Sequence, residues 1–213
     1  MKQIPNSFTW YDRPNWYWPS HDEKLKQVND WVRDADIAFK HIKRFDVAVQ
    51  AGGACGVWPA YLAKHFKYVV TFEPVDTNYE CLVKNVEGLP NVKHFKAALA
   101  EKKKGLSMSL DEFEKNNCGA HYAKDGGRTP AIPIDQLNLK RCDFIALDVE
   151  GYEYQALLGA MTTIGKFKPV IMIEEKPLPH MAPDQHLKAR RHLESIGYKE
   201  VDKIHRDVVF VYV

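Results

Sequence analysis

Several short runs along this chain leave no polar face. "FDVAVQ", "YVVTFE", "DFIALD" and "KPVIMIEE" are apolar through their middles at odd and even positions alike. Successive strand side chains point to opposite faces, so such strands must be covered on both sides. Amphipathic segments stand between them. "PAYLAKHF" carries Pro59 in a favourable first turn, and "DTNYECLVKNVEG" closes at Gly88. "GYEYQALLGAM" and "APDQHLKARRHLESIG" follow, the latter capped near Gly197. Strand and helix in alternation predict an α/β fold on a doubly wound, mostly parallel sheet with right-handed crossovers. "NVKHFKAAL" supplies a third strand after the break at Pro90, and "YKEVDKIHRDVVFVYV" reads as a closing antiparallel pair. Between Ala100 and Pro133, "GLSMSL" reads as one hairpin arm and "CGAHYAKDGGR" as a loop.

Residues 1–20 differ from the rest. Trp10, Tyr11, Trp16, Tyr17 and Trp18 sit among Pro5, Pro14 and Pro19, which exclude a regular helix. An irregular aromatic extension is expected, as a flap packed on the surface or as a lid over a pocket. The main domain then spans 21–213. It opens with a helix over "SHDEKLKQVNDWVRD", with Ser20 as N-cap and Leu25, Val28 and Trp31/Val32 at helical spacing. A formal net charge of +2 gives no ground for a nucleic-acid partner. Cys55, Cys81, Cys118 and Cys142 lack CxxC spacing, which favours free thiols over a zinc site. No leader-like or long apolar run is present, so a cytoplasmic protein with no membrane partner is expected.

The knot of small residues in "VAVQAGGACGVW" falls where the first strand meets its helix, the place where open α/β sheets bind ligands. The order Gly52, Gly53, Ala54, Cys55, Gly56 fails the dinucleotide pattern G-x-G-x-x-G, and Trp58 would crowd a pyrophosphate. No Lys-Ser/Thr pair follows, so a Walker A loop fails too. Glu73 ends the second strand, where a carboxylate commonly accepts from ribose hydroxyls. Glycine turn and strand-end acid together define a nucleoside-bearing cofactor without a pyrophosphate, and S-adenosylmethionine fits. A plain strand–helix junction is the alternative.

Three stretches, "DVAVQAGGACG", "VVTFEPVDTNYECLVKN" and "DFIALDVEGYEYQALLGA" followed by "KPVIMIEE", come in an order that resembles the FkbM-type methyltransferases, a branch of the class I S-adenosylmethionine-dependent enzymes. The resemblance spans roughly 45–175. It implies a Rossmann-like sheet ending in a reversed hairpin. There are departures: Gln50 stands where the family usually has an acid, and Ala146 where a lysine is frequent. Asp135 matches the family's D-x-L acid, with capping or loop support as its reading.

For the cofactor the expected residues are Gly52, Gly53 and Gly56 by backbone approach, Gln50 by its amide, Glu73 on the ribose, Ala98 beside the adenine, and Asp148. Methyl transfer to an oxygen needs alignment and a base. Asp148 and Glu150 end the strand on the ligand side and are the first candidates, with His121 as a loop base. Their other reading is structural, Glu150 in particular as support for the next helix. A divalent ion on Asp148 and Glu150, completed by Glu174 or Glu175, is conceivable, yet no metal is assigned. The favoured function is an S-adenosylmethionine-dependent O-methyltransferase acting on a small-molecule hydroxyl. A nucleic-acid methyltransferase, or a non-catalytic binding module on the same fold, is the alternative.

Overall fold

The computed structural model describes residues 1–22, 32–111, 114–179 and 181–213. The apolar runs form the parallel centre of a seven-stranded sheet. Its strands are β3 (Val47–Ala51), β4 (Tyr68–Phe72), β5 (Val92–Phe95), β10 (Phe144–Leu147), β11 (Val170–Glu174), β12 (Tyr198–Ile204) and β13 (Asp207–Tyr212), in the order β12-β13-β11-β10-β3-β4-β5. β13 runs antiparallel to β11 and to β12, the reversed closing hairpin. Register shows why both faces had to be apolar. Val69, Ala48, Phe144 and Val170 lie in one row and join the core on one side. Val70, Val49, Ile145 and Ile171 lie in the next and join the core on the other.

The helices are α1 (Ala35–Phe39), α2 (Val57–Leu62), α3 (Asp76–Asn85), α4 (Glu153–Leu158), α5 (Met161–Phe167) and α6 (Lys188–Ser195). Among the described residues no helix is long and apolar enough to cross a membrane. The helix expected over 20–34 lies largely outside the described residues; Val32–Asp34 form a 3-10 turn leading into α1. The single helix expected after β10 is two, broken at Gly159, where a Cβ would stand 2.1 Å from the carbonyl oxygen of Ala100. Asp135 caps the second piece, accepting from the N–H groups of Thr162 and Thr163, both at 2.8 Å.

Three further expectations are corrected. The aromatic N-terminus is a hairpin, β1 (Lys2–Pro5) paired antiparallel with β2 (Asn15–Trp18). Its prolines sit at strand ends, where a missing N–H breaks no ladder. Trp16 and Trp18 pack into the same core as β3 and α2. Burying such a ring stabilises by about 4–6 kcal/mol before the entropy of ordering it. The third strand divides into β5 and β6 (Ala98–Leu99), and β6 belongs to a second, four-stranded sheet. That sheet also holds β7 (Lys104–Leu110), β8 (His121–Asp125) and β9 (Thr129–Ile132), so the expected loop over 118–128 contains a strand.

Candidate active site

The glycine turn is tight because the chain itself crowds it. Gly52 and Gly53 donate to the carbonyl oxygen of Phe72 at 3.2 and 2.9 Å. Gly52 has φ +83°, and a Cβ there would stand 1.8 Å from the backbone oxygen of Asp148. A Cβ on Gly53 would meet Leu82 Cδ1 and Thr71 Oγ1, each at 2.7 Å. The absent side chains therefore admit β10 and α3 first. Gly52 and Gly53 also line a cavity of about 570 Å³ at the carboxyl ends of the parallel strands. Gly56 does not line it: it lies behind the turn, against Leu82 of α3.

Glu73 fastens this turn to β4. Its carboxylate accepts from Ala54 N–H at 2.7 Å and Val75 N–H at 2.9 Å, and the residue is only 4% exposed. Burial pushes its pKa up to about 7, against the pull of those two N–H groups. Gln50 is a correction. Its Oε1 accepts from Thr71 Oγ1 at 2.5 Å, and it lines a small separate hollow instead of the main cavity. Strand periodicity explains this, since Gln50 shares the face of Ala48. Ala98 does line the cavity, from β6 of the second sheet.

Across the floor stands a group of acids. One carboxylate oxygen each from Asp148, Glu150 and Glu174 lies within 4.8 Å of the others. Glu175 is not part of it, since Arg190 holds both its oxygens at 2.7 and 3.0 Å. The trio has donors suited to a divalent ion, but Lys176 Nζ already sits 3.0 and 2.8 Å from the two oxygens of Glu150. Burial, then the charge of Asp148, pushes Glu150 up to about 7. Burial and the charges of Asp148 and Glu150 push Glu174 up to about 10, so it keeps its proton at neutral pH. Burial raises Asp148 as well. Glu150 adopts φ +50°, a conformation rare outside glycine, as the chain leaves β10.

The opposite wall comes from the N-terminal hairpin and the second sheet. Trp18 Nε1 donates to Asp22 Oδ1 at 2.8 Å, and the other oxygen of Asp22 accepts from Cys118 N–H. His121 is on strand β8 and lines the cavity. Its Nδ1 lies 2.9 Å from the Cys118 carbonyl, which can only accept, so Nδ1 carries the hydrogen. Burial lowers this ring's pKa, which leaves Nε2 as an acceptor in the neutral ring.

Sequence reasoning missed Lys176, Asp207 and Asn78, all lining the cavity. Lys176 was signalled by the charged "EEK" that ends an apolar strand. Asn78 lay within a quoted motif, in the first turn of α3. Asp207 had no local signal, because the reversed direction of β13 brings it there.

No curated protein sequence matches this chain. Among solved structures, methyltransferase FkbM from Methylobacillus flagellatus KT is similar at 20% identity and TM-score 0.56, covering 78% of this chain and 43% of that one. This chain thus spans less than half the length of that relative. Precorrin-6y C5,15-methyltransferase from Geobacter metallireducens GS-15 is similar at 13% identity and TM-score 0.52, covering 89% and 92%. Precorrin 8W decarboxylase from Methanobacterium thermoautotrophicum gives 13% identity and TM-score 0.50, covering 86% and 90%. At such identities the likeness shows the fold, a Rossmann-like methyltransferase sheet. The family model for the methyltransferase FkbM domain matches residues 51–200, a span that runs from the last residue of β3 through the glycine turn, Glu73 and the acids of β10 and β11, and the chain belongs to that family.

Proposed function

We propose that this protein is an S-adenosylmethionine-dependent methyltransferase whose acceptor is a hydroxyl of a small molecule. One observation carries the reading: Glu73, pinned by Ala54 and Val75, stands on the wall of a cavity whose floor holds Asp148, Glu150 and Glu174. A carboxylate offers about four lone-pair sites. Two face backbone N–H groups, so others remain for the hydroxyls of a ribose. The acid-rich lining suits a cofactor bearing sulfonium and ammonium charges, and it opposes a polyphosphate or a nucleic-acid acceptor.

Bound here, the cofactor supplies a methyl group already activated on sulfur. The chain's part is to align an acceptor with it and remove a proton. In this reading Asp148 and Glu150 receive the acceptor hydroxyl and its proton. Lys176 pulls Glu150 toward its charged form against burial, while neutral Glu174 keeps a like charge from crowding Asp148. His121, with Nε2 free to accept, is the second base. Replacing each tests the order: Asp148→Asn should cost more turnover than His121→Gln.

Calorimetry with S-adenosylhomocysteine tests the reading at its root. The wild type should bind saturably, and Glu73→Ala should weaken binding by about 100-fold or more, the loss of two charge-assisted hydrogen bonds. No heat at protein concentrations far above micromolar would defeat it.

A further inference from the structure

One wall of the cavity is built differently from the acid floor. β7 and β8 pair antiparallel, with Met108 opposite Ala123 and Leu110 opposite His121. Met108, His121 and Ala123 line the cavity, while their strand neighbours Ser107, Ser109, Tyr122 and Lys124 do not. The period of two therefore turns that face of the hairpin toward the cavity. Tyr152, two residues past Glu150, lines it too, and packs like Ala123 against the small core of the second sheet. Its hydroxyl is already engaged, donating to Asp125 Oδ1 at 3.0 Å, so the ring is what it offers a ligand. Met108, Ala123 and Tyr152 are each only partly buried. Apolar groups left half-covered inside a cavity gain from an apolar occupant.

Resting on the methyltransferase reading, we infer that Met108, Ala123 and Tyr152 form the acceptor's platform, and that the acceptor hydroxyl is carried on an aromatic ring, a phenol in class. The cofactor does not fill this place in that reading. Its base sits beside Ala98 on β6, and the strand order β6-β9-β7-β8 puts Met108 and Ala123 two and three strands away. Those spacings amount to roughly 10 and 14 Å, farther than a purine seated on Ala98 extends. A thioether and a tyrosine ring are favourable partners for an aromatic ring, and the alanine methyl leaves it room to lie flat. The groups that take the proton border the platform: His121 is two residues from Ala123 on the same face of β8, and Glu150 two before Tyr152. Imidazole and carboxylate are weak bases. A phenol, with a pKa of about 10, yields its proton to them far more readily than an aliphatic hydroxyl does. The phenol's proton passes to the base and its oxygen bonds the methyl carbon. The electron pair of the broken carbon–sulfur bond stays on sulfur, which leaves an aryl methyl ether and S-adenosylhomocysteine.

Calorimetry on the protein saturated with S-adenosylhomocysteine tests this, with 2-naphthol as the probe and methyl β-glucoside as the comparison. Wild type should bind 2-naphthol at about millimolar or tighter, and the glucoside at least about tenfold more weakly. Ala123→Asp sets a charge on the platform. It should weaken 2-naphthol by about tenfold or more, while the affinity for S-adenosylhomocysteine stays within about twofold. A thermal melt checks that the variant folds, and Met108→Gln, of the same reach but polar, is read in the same way should it not. The inference is overturned if 2-naphthol does not bind, if the glucoside binds comparably, or if the variant leaves 2-naphthol unchanged. Equal weakening of 2-naphthol and S-adenosylhomocysteine overturns it as well, since the wall would then serve the cofactor. Failure of wild type to take up S-adenosylhomocysteine sinks the methyltransferase reading instead.

Discussion

Two strand-to-helix junctions lie side by side along the cavity, and they are built on different terms. The turn after β3 is held mostly by backbone, with Gly52 and Gly53 on Phe72 and Asp148 N–H donating to Ala51 at 3.1 Å, and by one carboxylate, Glu73, on Ala54 N–H. The turn after β10 is held by carboxylates. Glu153 accepts from the N–H groups of Val149 and Gly151 at 3.1 and 3.2 Å, and Glu150 leans on Lys176. The first is a socket whose shape is set by sterics. The second is set chiefly by ionisation.

The sharpest way to break this contrast is to add one methyl to each turn. Gly52→Ala would drive Cβ into the backbone of Asp148, which cannot yield, and should cost more than about 4 kcal/mol or abolish folding. Gly151 also has positive φ, +92°, yet its Cβ would meet Met181 Cε, the loose end of a flexible side chain. Gly151→Ala should cost only about 1–2 kcal/mol, the left-handed strain itself. Urea unfolding of both variants decides, and equal losses would erase the distinction.

Next in size is a pH effect on stability. Burial raises Glu73, Glu150 and Glu153 to about 7 and Asp207 to about 8. A folded-state pKa above the unfolded one means the folded protein holds extra protons in between. Stability is therefore fullest below about pH 4.5 as far as these groups are concerned, and it falls as pH rises through 7 to 8. The melting temperature should drop on the order of 5 °C between pH 5 and pH 8. Calorimetric scans of Glu153→Gln should show a shallower fall.

The smallest effect isolates one pair. Lys176→Met leaves Glu150 without its cation, so its pKa should rise by about one further unit. A carbon-13 carboxyl titration reads this directly. An unchanged Glu150 would mean that Lys176 contributes no electrostatic control.

How legible each junction is in the sequence follows from the same contrast. A turn dictated by sterics announces itself as glycine, and the apolar strands around it fix the sheet, so Gly52, Gly53 and Glu73 can be placed from residues alone. The other junction draws Lys176 from beyond β11 and Asp207 from β13, and strand order in space, not spacing in sequence, brings them together. Gln50 misleads because its motif position points to the cofactor while the strand's period of two turns it to the other face. β8 is hidden for a similar reason: "HYAKD" has no apolar face, its residues being half-buried or exposed. At the N-terminus the prolines rule out a helix, but they do so by marking where two short strands stop.

The hairpin between β12 and β13 closes through His205 and Arg206 alone, since Ile204 and Asp207 are already a paired rung. Both tip residues line the cavity, while the ladder behind them forms the sheet. Shape and charge at the mouth can thus drift by exchange of two side chains that stand outside the apolar core. The two are not equally free, for His205 Nδ1 also stands 3.0 Å from the buried Asp34 carboxylate and ties the tip to the turn before α1.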